Sequence, residues 1–203
     1  RTALAARTGS SPPTERVGTG LMHAGLGFLL LTLFLGALIG ARYADLLADL
    51  VKLNFDSDIG RWLMVGFLVA FIVKAPMVPV HTWLPTATEQ ATPGSSVLLV
   101  GILDKIGTFG MIRFCLGLFP EASTWVAPVM IGLALVSIIY GAIAAIGSSD
   151  LLRLVAYTSI SHFGFMVLGI YTFTSVGISG SIFYMVNHGF STAALFLVIG
   201  FLI

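Results

Sequence analysis

Two apolar runs in the stretch from Trp62 to Arg113 are each long enough to cross a membrane, and each carries one lysine near its middle, Lys74 and Lys105. A charged side chain at the centre of a bilayer-spanning helix costs about 2.5–3.5 kcal/mol on insertion scales, so two of them must serve something. The rest of the chain fits the same setting. With 57% hydrophobic residues, 9% charged residues and a mean hydropathy of +1.01, it is far more apolar than a water-soluble core requires. A span needs about 20 mainly apolar residues, so the 203 residues accommodate roughly six helices. The expected fold is therefore all-α and polytopic, with a polar loop or tail over 1–16 and a transmembrane bundle over 17–203. The spans fall near 17–41, 61–84, 94–118, 125–146, 151–172 and 179–203. The chain opens on Arg1 and stops inside an apolar run, so it reads as an internal piece of a longer protein.

Several classes of function are set aside by composition. A formal net charge of +1, with the basic residues scattered, gives no footprint for nucleic acid. The single cysteine, Cys115, lies in an apolar run and offers neither a disulfide nor a Cys-based metal or iron–sulfur site. No nucleophile elbow, phosphate loop or dinucleotide fingerprint appears. His81, Glu89 and Asp104 are the candidates for a membrane-embedded enzyme site, and they supply no nucleophile or metal set.

The second span should be broken. Pro76, Pro79 and Pro85 fall in its second half, and a proline in a helix frees the carbonyl four residues back, here those of Ile72, Ala75 and His81. Broken backbone survives at membrane depth only inside protein or beside a wet cavity, which points Lys74 inward. Burial and a neighbouring carboxylate act in opposite senses on a lysine's hold on its proton, so a moving carboxylate can switch it. No acidic residue in the chain is an obvious partner for Lys74 in the sequence. Asp104 precedes Lys105, but consecutive helical residues point about 100° apart and do not face each other. His162 and His188 lie at the centres of the fifth and sixth spans, at a depth similar to the lysines, and titrate near neutral pH. His81 sits in the broken end of the second span, where it either extends a pathway or caps freed carbonyls. The segment from Pro85 to Pro93 reads as a polar link, with Glu89 as a solvated loop charge, and Ser148-Ser149-Asp150 as an N-cap cluster.

These residues carry a resemblance. The stretch KAPMVPVHTWLPTATEQATPGSSVLLVGILDKIGTFGMIRF, from Lys74 to Phe114, resembles the signature of the antiporter-like membrane subunits of respiratory complex I, most nearly the subunit M, chain-four type. The segments from Ser148 to Tyr171 and from Met185 to Gly200 are similar to it as well, whereas the first sixty residues match nothing firmly. The resemblance implies a fourteen-helix bundle with two inverted repeats, each with a broken helix and a half-channel, joined by a central row of charged residues. On it, Lys74 matches the lysine of the first broken helix and Lys105 the lysine of the next helix, while His162 and His188 match histidines that begin the second half. The glutamate expected to pair with Lys74 would lie before Val17. Two departures stand out: Thr88 replaces a histidine found in many relatives, and Asp104 replaces an apolar residue.

The expectation is a proton-translocating subunit of NADH:quinone oxidoreductase, acting through Lys74, Lys105, His162 and His188, with Asp104 and His81 beside them and Pro76 and Pro79 breaking the helix. The resemblance implies no cofactor in this chain, with FMN, iron–sulfur clusters and quinone in other subunits. It implies other complex I membrane subunits as partners, neighbouring antiporter-like ones especially, in an energy-transducing membrane such as the bacterial plasma membrane. The alternatives are a subunit of a multisubunit cation/proton antiporter and a structural spacer whose lysines form permanent ion pairs.

Overall fold

A computed structural model describes Asp49 and residues 57–202. The expected first span, 17–41, and the tail over 1–16 lie outside the described residues. Within them the chain is all helical. Helix α1 covers Ser57–Lys74, α2 covers Trp83–Gln90, α3 is a continuous segment over Pro93–Leu116, α4 covers Pro120–Ile146, α5 Leu151–Ile170 and α6 Ser175–Leu202. Four of these, α3 to α6, are long and apolar enough to cross a membrane.

The expected helix over 61–84 is shorter and starts earlier. It ends at Lys74, and Pro76 and Pro79 lie in the turns that follow, where the Val78–Pro79 peptide is cis. Neighbouring groups take up the backbone freed here. The Trp83 indole N–H donates to the Val73 carbonyl at 3.0 Å, and Val78 N–H donates to Ser137 Oγ at 3.0 Å. The carbonyl of His81, expected to be freed by Pro85, accepts from Leu84 N at 3.1 Å. The supposed polar link from Pro85 to Pro93 is helical as far as Gln90, because Pro85 sits in the first turn of α2, where its missing N–H costs nothing. On that helix Glu89 is no free loop charge but pairs with Arg153 at 3.1 Å.

Capping sets the next starts. Thr92 accepts from Ser95 N at 3.3 Å ahead of Pro93, and an Asp150 carboxylate oxygen accepts from Arg153 N at 2.8 Å ahead of α5. Helix α4 begins at Pro120, five residues before the expected Trp125. Helix α3 departs from regular geometry twice, winding as a π-helix over Leu99–Leu103 and again over Met111–Leu116.

Helices α4 and α5 pack most extensively, through small residues rather than large ones. Ala134, Ser137, Gly141 and Ala145 form a buried stripe at helical spacing on α4. A Cβ on Gly141 would stand 2.7 Å from Ser161 N, and one on Gly164 would stand 2.7 Å from the Ala134 carbonyl oxygen. The two backbones therefore meet directly. Gly164→Ala is expected to cost about 1–3 kcal/mol by overpacking, read as a lower unfolding temperature of the purified protein, whereas Gly132→Ala, with open space around it, should leave that temperature unchanged.

Candidate functional site

The charged and titratable residues meet where α1, α3, α5 and α6 converge. A Cβ on Gly107 would stand 2.5 Å from Ala75 N and 2.7 Å from the Phe71 carbonyl, so the end of α1 lies against the α3 backbone. Lys74, half-buried, is the last residue of α1. Asp104 precedes Gly107 by one turn and so shares its face. Asp104 is fully buried, and neither carboxylate oxygen has a hydrogen-bond partner among the described residues. The carboxylate is within electrostatic reach of both Lys74 and Lys105. The sequence offered no acidic partner for Lys74; the helix packing brings the Asp104 carboxylate within electrostatic reach of it.

Lys105 turns the other way. Its amine donates to the carbonyl of Val100, in the π-helical turn before it, and lies 5.3 Å from the centre of the Phe163 ring. The lysine is half-buried within the bundle, and a Cβ on Gly189 of α6 would lie 3.8 Å from its Cε. Opposite it stand the two histidines. The rings of His162 and His188 are 5.0 Å apart between centres, and both imidazoles are within electrostatic reach of Lys105. His188 is buried, with Nε2 3.3 Å from Thr192 Oγ1 and Nδ1 unpartnered among the described residues. His162 Nδ1 is 2.8 Å from the Tyr184 hydroxyl.

The histidines open onto a cavity of about 350 Å³ whose polar lining includes Thr158, Tyr184, Asn187, Ser191 and Thr192. A space of that size with several polar partners has room for water between the groups. Protons pass along such a line when donors and acceptors alternate within hydrogen-bond reach, directly or through one water. Tyr184 and Thr192 were missed in the sequence. They stand four residues before and four after His188, a spacing that places all three on one helix face.

His81 is not joined to this cluster by any described contact. It is buried in the turns after α1, its ring edge-on to Tyr140 at 4.7 Å, and neither nitrogen has a well-formed hydrogen bond among the described residues. His81 interacts with the backbone of Pro79, while the Val73 carbonyl at the helix end is capped by the indole of Trp83. Thr88 is buried with its hydroxyl donating to the carbonyls of Leu84 and Pro85, so it serves its own helix. Among the described residues no group of three His, Cys, Asp or Glu side chains is arranged to hold a metal ion.

A bundle of long apolar helices with lysines, a carboxylate and histidines in its interior is the architecture of a polytopic membrane protein. Residues 20–203 match the family described as NADH:quinone oxidoreductase/Mrp antiporter, transmembrane, and the chain belongs to that family. Its curated relatives include NADH-quinone oxidoreductase subunit M of Mycobacterium tuberculosis, 46% identical, with 92% of this chain and 37% of the relative covered. Subunit M of Pseudomonas aeruginosa is 43% identical, with 92% of this chain and 36% of the relative covered. The chain thus spans a little over a third of the length of these relatives. Among solved structures, respiratory complex I from Thermus thermophilus with bound NADH matches with a TM-score of 0.73 and 33% identity, over 86% of this chain and 40% of the other. The Mrp complex from Dietzia matches with a TM-score of 0.61 and 30% identity, over 66% of this chain and 25% of the other.

Proposed function

We propose that this chain is part of a proton-translocating membrane subunit of NADH:quinone oxidoreductase, subunit M. In this reading Lys74 and Lys105 take up and release protons, and His162, His188 and the waters of the neighbouring cavity carry them onward across the bundle. The observation that carries it is the convergence of Lys105, His162 and His188 from three different helices at membrane depth, with the two histidines lining a cavity that Thr158, Tyr184, Asn187, Ser191 and Thr192 also line. His81 stands outside that row and belongs to the break in the helix, together with Pro76 and Pro79.

The parent protein, on the same reading, is a fourteen-helix bundle of two inverted repeats, of which this chain holds six helices. Redox chemistry, with flavin, iron–sulfur clusters and quinone, belongs to other subunits, and the neighbouring antiporter-like subunits are its contacts in the membrane. Its bacterial relatives support placement in the plasma membrane.

The antiporter reading is favoured by the family description, which names both classes, but the complex I structure matches over more of the chain and at higher identity than the Mrp structure. Affinity purification of the parent protein separates the two, because flavin and iron–sulfur absorbance should accompany the complex I version. Lys74→Ala then tests the row. In reconstituted complex it is expected to lower the number of protons moved per electron, whereas a structural spacer would lose assembly and keep that ratio in whatever complex forms.

A further inference from the structure

Within the four described spans the acidic residues are Glu121, in the first turn of α4, and Asp104, in mid-helix. Asp104 is the anomalous one. A carboxylate with no solvent and no hydrogen-bond donor is strongly disfavoured unless a cation stands near it or it holds a proton. The contact of Gly107 with Ala75 and Phe71 brings the Lys74 end of α1 to the face of α3 that carries Asp104. Lys105 follows Asp104 in the chain, and its amine is bonded to the Val100 carbonyl instead of to the carboxylate. Asp104 is thus within electrostatic reach of two cations, one from the neighbouring helix and one from its own, and hydrogen-bonded to neither.

We infer that Asp104 is the shared counter-charge of Lys74 and Lys105, a positioning residue that makes proton occupancy at one lysine depend on occupancy at the other. The inference rests on the proton-row reading above. With both lysines protonated and Asp104 ionised, the three groups carry a net charge of +1. When either lysine passes a proton to water or to the next group in the row, the net charge becomes zero and the whole attraction of the carboxylate falls on the other lysine. No electron moves, and one N–H bond is exchanged for an O–H or N–H bond on the acceptor. Without the carboxylate, two ammonium groups would share a poorly solvated site, which like charges disfavour. Among the described residues, the remaining titratable groups that face this cluster are His162 from α5 and His188 from α6, both within electrostatic reach of Lys105. Neither can supply a negative charge.

The test uses the assembled complex containing the full parent chain, reconstituted into vesicles. Asp104→Leu and Asp104→Asn should still assemble, because no hydrogen bond is lost, Leu fills a similar volume, and a lysine left without its counter-charge can release its proton. Their proton pumping should nevertheless fall by about tenfold or more, a smaller loss than the removal of a proton-transfer group itself would cause. Asp104→Glu should recover at least half of it. Infrared difference spectra triggered by NADH should contain a carboxyl or carboxylate band that vanishes in Asp104→Asn and moves in Asp104→Glu. Lys74→Ala is measured alongside. An unchanged proton-to-electron ratio in Lys74→Ala sinks the proton-row reading irrespective of Asp104. A lowered ratio in Lys74→Ala, with wild-type pumping and spectra in the Asn and Leu variants, overturns the role of Asp104 alone. Failure of only the Asn and Leu variants to assemble, with no band assignable to Asp104, marks a permanent structural ion and overturns it too.

Discussion

Lys105→Ala is expected to reduce proton pumping by the assembled complex by about a hundredfold, the lower part of the range for removal of a proton-transfer group. The lysine is the link between two halves of the site. The Asp104 carboxylate and the two histidines, which line the cavity, are all within its electrostatic reach. Phe163 and Gly189 pack against its side chain. The substitution also leaves the Val100 carbonyl without its donor, at a cost of about 1–3 kcal/mol if no water replaces it. That cost is small beside the predicted loss of pumping. The measurement is the rate of acidification in vesicles, normalised to the amount of assembled complex. Lys105→Arg retains the charge but holds its proton far more tightly, and should recover only part of the rate.

Gly107→Ala should come close to the same loss without touching a titratable group. Its new methyl would stand 2.5 Å from Ala75 N, 2.7 Å from the Phe71 carbonyl and 2.8 Å from Ala75 Cβ. Carbon contacts are comfortable near 3.5–4.0 Å, so α1 and α3 must part by about 1 Å. None of the three obstacles is a flexible side-chain tip. Displacements of about 1 Å in a positioned site can cost about a hundredfold in rate. The expected result is a complex that assembles, oxidises NADH slowly and pumps at about a hundredth of the normal rate. Gly101→Ala is the control, because its methyl would meet Ala193 Cβ at an ordinary 3.5 Å. Equal pumping in the two variants would remove the case for a fixed spacing between Lys74 and Asp104.

Much of this site was legible because cost is visible in a sequence. Lysines and histidines inside apolar runs stand out by their expense, and prolines mark where the helix carrying Lys74 must end. The helices α4 to α6 could be read from hydropathy, since the few polar residues inside them leave each run apolar enough to span. What could not be read was pairing between helices. Asp104 looked like a neighbour of Lys105, yet the close packing at Gly107 sets it toward Lys74 as well, and that packing depends on which glycine faces which helix. The π-helical turns of α3 have no periodic signature of their own, and one of them supplies the carbonyl that holds Lys105. Glu89 was misread for a related reason. Its partner, Arg153, is 64 positions away in the chain, and proline at position 85 suggested a loop when it serves as a helix start.

The indole that closes the gap after α1 has an optical consequence. Trp83 reaches back across the turns to the Val73 carbonyl, beside Lys74, so its ring straddles the place where the helix is broken. The other two tryptophans, Trp62 and Trp125, lie near the starts of α1 and α4, where the Arg61 guanidinium sits 5.6 Å from the Trp125 ring centre. Separation of α1 from α2 would free the Trp83 N–H and shift its emission, while the other two fluorophores stay as internal references. The chain carries its own reporter at the joint, and turnover can be watched there without attaching a dye.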